Sequence, residues 1–140
     1  MKETGLLNRE ISDVISRMGH RDELCICDAG LSIPSHVKNV DISLARNKPR
    51  FLEVLEEILK HFSVEKVIIA EETKTVSPTM FNSIVESFDE NIEIELIPHA
   101  EFMKKRESVK AMIRTGEFTA YSSVILVSGA DLSKWVIENG

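Results

Sequence analysis

The sequence has few of the features on which disulfide-rich, cofactor-binding and membrane proteins depend. Its two cysteines, Cys25 and Cys27, are two positions apart, and such residues of a strand lie too far apart for easy bridging. Its six glycines form neither the G-x-G-x-x-G nor the G-x-x-x-x-G-K-[ST] pattern that cradles phosphates. No apolar run approaches the roughly 18 residues that a transmembrane helix requires. These absences argue against a disulfide framework, a nucleotide cofactor and a membrane span.

Size and charge narrow the class of protein further. With 140 residues and 15.8 kDa, the chain has the size of one domain, so we predict a single domain over residues 1–140. The net charge of −6 disfavours nucleic acid and anionic membranes as partners, because both carry negative charge. The charged start, MKETGLLNREIS, lacks the apolar core of a signal peptide. Together with reduced thiols, this predicts a cytoplasmic location.

Hydrophobic periodicity predicts helices that alternate with strands. The predicted strands are 23–27, 64–70, 92–97 and 123–129, with a short strand around 37–42. The predicted helices run from the cap Asn8 to Gly19, from Pro49 to Phe62, from the cap Ser77 through Phe88, and from about Ala100 to Thr115, where Gly116 stops the last one. This alternation predicts an α/β fold, a three-layer α/β/α sandwich around a mostly parallel sheet, with a mixed sheet as the alternative.

The stretch GHRDELCICDAGL, residues 19–31, brings histidine, carboxylates and thiols together and raises the question of a metal site. A structural zinc site would need further cysteine or histidine pairs at ligand spacing, and the sequence has neither. Unpaired cysteines are usually buried, so we interpret Cys25 and Cys27 as small apolar residues on one face of a strand. We therefore predict no metal and no thiol catalysis, which leaves proton transfer.

Four polar residues flank predicted strands, where α/β proteins bind their ligands. Asp28 and His99 each follow a strand, whereas His20 and Tyr121 each precede one. Each has a structural alternative: Asp28 could cap a turn, Tyr121 could pack, and His20 could cap the end of the preceding helix. For His20, the residues taken alone favour the helix cap.

Five collinear stretches resemble the D-ribose pyranase family across nearly the whole chain. They are ISRMGHRDELCICDAGLSIP, RFLEVL, VIIAEE, IPHAEF and IRTGEFTAYSSVILVSG. The L-fucose mutarotases of the same superfamily share Met-Gly-His but typically continue Asp-Ala-Asn-Phe, whereas this chain reads Asp28-Ala29-Gly30-Leu31, similar to the ribose branch. The resemblance implies a cytoplasmic isomerase without a cofactor that interconverts the pyranose and furanose forms of D-ribose, beside a ribose importer and ribokinase. An L-fucose-type mutarotase and a non-enzymatic sugar-binding regulator are the alternatives.

The resemblance also implies individual roles and an assembly. It implies that His20 is the catalytic acid. The residues that it implies bind the sugar are Asp28, His99, Tyr121, Ser122 and Ser123. The family usually reads Pro-Tyr-Ala-Asn where this chain has Ala120-Tyr121-Ser122-Ser123. At the last of these positions the Ser123 hydroxyl therefore replaces the side-chain amide through which the family contacts the sugar. Family members form homodecamers of two pentameric rings, which is the partner that the resemblance implies for this chain.

The spacing of His20 and Asp28 has a consequence for assembly. If residues 24–27 form a strand that rises ~3.3 Å per residue, the two side chains are more than ~10 Å apart. An antiparallel last strand would bring Tyr121 to Asp28 and His99 but would not move His20. Either the loop before the first strand folds back, or a second chain supplies the missing group. We therefore expect a site shared between chains.

Overall fold

The computed structural model describes residues 1–138, whose six strands form one mixed sheet with helices on both faces. The strands are β1 (Glu23–Cys27), β2 (Lys38–Asp41), β3 (Val64–Ala70), β4 (Glu93–Ile97), β5 (Ala111–Arg114) and β6 (Val124–Ser128), in the order β2-β5-β1-β6-β3-β4. The helices are α1 (Arg9–Ser16), α2 (Phe51–Leu59), α3 (Glu71–Val76), α4 (Pro78–Glu86) and α5 (His99–Lys105), with 3-10 turns at Arg106–Ser108 and Leu132–Lys134. The predicted three-layer fold is confirmed in its mixed-sheet form, and the last two residues of the predicted domain lie outside the described range.

The direction of β6 decides which loops meet. It runs antiparallel to both of its neighbours, β1 and β3, while β1–β5, β2–β5 and β3–β4 are parallel pairs. Val124, the first residue of β6, is therefore in register with Ile26 and Ile69, near the ends of β1 and β3. The residues that precede β6 thus lie beside those that follow β1 and β3, as expected for an antiparallel last strand.

The two faces of the sheet pack against different helices. Leu24 and Ile26 of β1 face a core with α1, α2 and α4, whereas Cys25 and Cys27 face a core with Phe102 of α5. Burial, with a contribution from the nearby Asp28 carboxylate, raises the pKa of Cys27 to about 12, and burial likewise raises the pKa of Cys25 well above its ordinary value. Both thiols are therefore protonated, buried core groups on one face, which confirms their predicted interpretation.

The helix predicted over 100–115 is wrong beyond its first two turns. α5 ends at Lys105, and residues 111–114 form β5, which lies between β1 and β2. A short apolar run such as Ala-Met-Ile does not reveal by periodicity whether it is a buried strand or part of a helix. Gly116 is required for another reason than helix termination, since a Cβ there would lie 2.5 Å from the carbonyl oxygens of Ala45 and Lys48.

The segment between β3 and α4 also differs from expectation. Residues 71–76 form α3, which the sequence did not predict because EETKTV carries no apolar stripe. α4 does begin at Pro78 as predicted, but the Ser77 hydroxyl donates a hydrogen bond to the carbonyl oxygen of Ala120 instead of capping the helix. The short strand predicted around 37–42 is confirmed as β2. Within residues 1–138, no helix has both the length and the apolar character that crossing a membrane requires.

A buried carboxylate, Glu117, joins the loop after β5 to the start of α2. It is 1% exposed and accepts hydrogen bonds from the Phe51 N–H at 3.0 Å, the Arg50 guanidinium at 3.0 Å and the Thr119 hydroxyl at 2.8 Å. Burial by itself would raise the pKa of Glu117, but these donors outweigh it and lower the pKa from 4.5 to about 2. Glu117 is therefore a charged structural group.

The low pKa of Glu117 predicts an acid-dependent loss of stability. A carboxylate whose pKa is lower in the folded chain stabilises the fold above its unfolded pKa, and this contribution disappears as the pH falls from about 4.5 toward 2. We expect this one group to give a slope of up to about 1.4 kcal/mol per pH unit in that window. Glu117→Gln should remove this slope and lower the free energy of unfolding at pH 7 by about 1–3 kcal/mol. Denaturant unfolding between pH 7 and 3 measures both, with the exposed Glu56→Gln on α2 as the matched control; an unchanged slope would contradict the assignment.

Candidate active site

A cavity of about 320 Å³ lies at the sheet edge where β1, β3 and β4 end and β6 begins. It is lined by Asp28, Gly30, Leu31, Ala70, His99, Phe102, Ala120, Tyr121 and Ser123. Four of the predicted site residues, Asp28, His99, Tyr121 and Ser123, therefore lie together. Sequence reasoning did not assign five of the lining residues to the site: Gly30, Leu31, Ala70, Phe102 and Ala120. Ala70 is the last residue of β3, and Gly30 and Leu31 follow β1, so their position at strand ends was the available signal, whereas Phe102 looked like a core residue.

The Asp28 carboxylate is held by the turn that it caps. Oδ1 accepts the N–H groups of Gly30 and Leu31, both at 3.0 Å, and Oδ2 accepts the Ser122 N–H at 3.2 Å. Burial raises the pKa of Asp28 above its ordinary value, although these N–H donors act in the opposite direction. The turn-capping alternative is thus realised, and the same carboxylate faces the cavity as a fixed hydrogen-bond acceptor.

The two serines after Tyr121 take different positions. Ser123 lines the cavity, and its Oγ accepts the Asp28 N–H at 3.3 Å, so it links the start of β6 to the end of β1. The Ser122 side chain is fully buried, is outside the set that lines the cavity, and has no hydrogen-bond partner for its hydroxyl within residues 1–138. Ser122 therefore acts on the site through its backbone N–H.

His99 and Tyr121 form an aromatic wall of the cavity. Their rings meet edge to face, with centroids 5.0 Å apart and an angle of 81° between the planes, and His99 also stacks at 6.4 Å on Phe102. The backbone N–H of His99 donates to both carboxylate oxygens of Glu72 at 3.1 Å. Such a wall combines apolar ring faces with polar ring edges, which suits a sugar that presents C–H groups and hydroxyls.

His20 lies at the opposite end of the sheet from this cavity. Its Nε2 is 3.0 Å from Glu65 Oε2 at the start of β3, and its side chain is 55% exposed. The neighbouring Arg21 N–H donates to the carbonyl oxygen of Ser128, the last residue of β6. The five residues of β1 separate His20 from Asp28 by about 16 Å. One chain therefore does not bring His20 to the other predicted site residues.

His20 does not cap the preceding helix, so the structural alternative for this residue is wrong. α1 ends at Ser16, and the residue at its C-cap is Arg17, so the helix stops earlier than the predicted Gly19. The imidazole contacts a carboxylate on another element instead. His20 is thus an exposed imidazole beside Glu65.

A second cavity adjoins the first on the other side of the Asp28 turn. Its volume is about 260 Å³, it shares Asp28, Gly30 and Ala120 with the first cavity, and Arg114 and Phe118 are part of its lining. The Arg114 guanidinium donates to the Ala29 carbonyl oxygen at 3.0 and 3.1 Å and so holds the turn in place. The turn that carries Asp28 is therefore fixed from the side that faces away from His99.

The donor set of the site does not suit a metal ion. Within residues 1–138, no three histidine, cysteine, aspartate or glutamate side chains are arranged as metal ligands. The first cavity offers only Asp28 and His99 of these types. The arrangement offers hydrogen-bond acceptors and donors for hydroxyl groups.

A family model, related sequences and solved structures all relate this chain to the same family. Residues 1–131 match the model of the RbsD / FucU transport protein family. The sequence is 48% identical over 129 residues to a D-ribose pyranase of Lactobacillus gasseri, covering 92% of this chain and 98% of that protein. The fold is similar to that of Bacillus subtilis RbsD complexed with D-ribose, with a TM-score of 0.89 and 38% identity over 93% of this chain and 98% of that one. The fucose mutarotase of Streptococcus pneumoniae in complex with L-fucose shares the fold at a TM-score of 0.72 and 18% identity, over 89% of this chain and 94% of that one.

Proposed function

The chain belongs to the RbsD / FucU transport protein family, and from this premise we infer that it catalyses the interconversion of the pyranose and furanose forms of D-ribose. This is the activity for which its D-ribose pyranase relatives are named. The observation that carries the proposal is the cavity in which Asp28, His99, Tyr121 and Ser123 meet, in a chain that matches those relatives over most of its length. The fucose mutarotase is a distant relative by comparison.

The reaction requires acid–base groups and no redox chemistry. Opening a ring removes the proton of the anomeric hydroxyl, breaks the bond between the anomeric carbon and the ring oxygen, and protonates that oxygen, which gives the open-chain aldehyde. A different hydroxyl then adds to the aldehyde carbon and loses its proton while the carbonyl oxygen gains one. No electrons are exchanged with another molecule, so the reaction requires no redox cofactor. Positioned acid and base groups typically accelerate such steps by ~10²–10⁴-fold.

The residues of the cavity would bind and orient the sugar. The Asp28 carboxylate is a fixed acceptor for a sugar hydroxyl, and the Ser123 hydroxyl is a further polar partner at the same edge. The rings of His99 and Tyr121 would cover the sugar from the side. A sugar held in this way exposes its remaining hydroxyls toward the open mouth of the cavity, where an acid–base group is still required.

We propose that His20 of the partner subunit supplies that group. Within one chain, His20 lies at the other end of β1, about 16 Å from Asp28, and its imidazole is exposed. Histidine changes its charge near neutral pH, so it can both give and take a proton during ring opening and closure. The exposed position at one end of the sheet allows it to reach the open cavity of a neighbouring copy.

A shared site makes assembly a condition of activity. In a ring with head-to-tail contacts, each subunit offers its cavity to one neighbour and its His20 to the other. The decamer of two pentameric rings is our proposal for this assembly, and the cytoplasm is our proposal for its location. The free, buried cysteines are consistent with a reducing compartment.

The proposed reaction can be measured directly by saturation-transfer NMR on equilibrated ribose. We expect the protein to accelerate the exchange between pyranose and furanose signals, to act weakly on fucose, and to keep its activity in EDTA because the cavity lacks a metal-ligand set. Exchange with fucose but not ribose would favour a mutarotase of the fucose type. Ribose binding without faster exchange would favour a sugar-binding regulator, and loss of activity in EDTA that a divalent ion restores would overturn the metal-free mechanism.

A further inference from the structure

The segment formed by α3 and Ser77 makes hydrogen bonds to the backbone of three residues that line the cavity. The Thr73 hydroxyl donates to the Tyr121 carbonyl oxygen at 2.7 Å, and the Ser77 hydroxyl donates to the Ala120 carbonyl oxygen at 2.7 Å. The Glu72 carboxylate accepts the backbone N–H of His99. α3 follows β3 directly, and its N-cap residue is Ala70, which itself lines the cavity.

The backbone of Tyr121 is in a conformation that needs support. Its φ is +58°, in the left-handed region that residues other than glycine rarely adopt. The Tyr121 residue is only half-buried, so close packing does not by itself fix its ring. The two consecutive carbonyl groups at 120 and 121 are instead held by the side chains of Thr73 and Ser77, which are four residues apart and lie on one side of the segment.

Thr73 has no evident second role. It is fully buried, its hydroxyl is used by the Tyr121 carbonyl oxygen, and it does not line the cavity. Neighbouring Thr75 on the same helix is exposed. The buried hydroxyl is thus placed where it can act on the sugar only through Tyr121.

We propose that Thr73 and Ser77 are positioning residues that hold Tyr121 in its left-handed conformation and so present its ring to the sugar. The 5.0 Å contact between the rings of Tyr121 and His99 then depends on α3 through the two backbones, because Glu72 of the same helix accepts the backbone N–H of His99. This inference rests on the proposed function, since it assigns to α3 the geometry of the sugar-binding wall. Neither residue touches the reacting atoms.

The chain contains a single tyrosine, which makes the proposal testable without ambiguity of assignment. In the intact assembly labelled with 3-fluorotyrosine, Tyr121 gives the one ¹⁹F signal. Thr73→Val removes the hydroxyl at nearly constant volume, Thr73→Ser keeps it, and the exposed Thr75→Val is the matched control. We expect Thr73→Val to shift or broaden the signal without ribose and to weaken ribose binding roughly tenfold. Thr73→Ser and Thr75→Val should resemble the unmodified protein.

Two outcomes would overturn the proposal: a signal and ribose affinity for Thr73→Val equal to those of Thr75→Val, or equal losses in Thr73→Val and Thr73→Ser. If Thr73→Val does not fold, Ser77→Ala decides, because Ser77 is only partly buried and holds the adjacent carbonyl group. It should shift the ¹⁹F signal in the same sense, and an unchanged signal would overturn the proposal. The ¹⁹F signal without ribose does not depend on turnover, so failure of the proposed reaction would be seen separately as absent ribose exchange in the unmodified protein.

Discussion

Replacing His20 by alanine should lower the rate of exchange between ribose ring forms by about 10²–10⁴-fold, while ribose still binds. The cavity residues that would hold the sugar lie at the opposite end of β1 from His20, so removing the imidazole leaves Asp28, His99 and Tyr121 in place within the chain. A group that only transfers protons acts on the barrier and contributes little to ground-state binding. Saturation-transfer NMR measures the exchange, and a ribose titration measures the binding.

His36→Ala is the matched control for this substitution. His36 is also an exposed imidazole beside a carboxylate, 3.6 Å from Glu107, and the sequence assigns it no role in the site. We expect His36→Ala to exchange ribose at the unmodified rate. Near-normal exchange in His20→Ala would overturn the proposed role of His20 and would leave the residue only a structural contact with Glu65.

Two inactive variants, His20→Ala and Asp28→Ala, should regain activity when they assemble together. If each site takes its cavity from one subunit and its histidine from the next, a random equal mixture restores about one quarter of the junctions. Activity should therefore rise from near zero in each variant to about a quarter of the unmodified value. Refolding the mixed chains and measuring ribose exchange gives this number, with circular dichroism to confirm that each variant folds.

A second mixture separates this explanation from a general effect of mixing. Asp28→Ala and His99→Ala both damage the same cavity of the same chain, so no combination of them creates an intact cavity. This mixture should stay inactive. Light scattering and ribose exchange on dilution provide an independent check, because a fully active monomer would contradict the shared site.

The elements that the sequence predicted correctly are those with a strong local signal. β1 and β3 each contain a buried apolar run of four residues, 24–27 and 67–70, and α2 carries a full apolar stripe, so each could be assigned from its hydrophobic pattern. β5 and α3 were missed for opposite reasons. β5 is buried between two other strands and has no period of its own, while α3 is polar and is defined by contacts to the cavity walls.

Part of the cavity lining could be predicted from the sequence, but its geometry could not. The polar residues at strand ends and the five resembling stretches predicted Asp28, His99 and Tyr121, which line the cavity, and also His20, which does not. The antiparallel direction of β6 was then required to place Tyr121 beside Asp28 and His99. The left-handed backbone of Tyr121 and the support from Thr73 have no signature in the sequence, because they depend on contacts between segments almost 50 residues apart.

The sequence by itself determined the α/β class, the buried role of both cysteines and the residue types available for proton chemistry, because these follow from local pattern and composition. Only the tertiary structure decided which of those residues meet. Sheet order and strand direction are set by long-range packing, and they gather Asp28, His99, Tyr121 and Ser123 at one edge while leaving His20 at the other. The rise of an extended strand, about 3.3 Å per residue, is the physical reason that a single chain cannot close this gap.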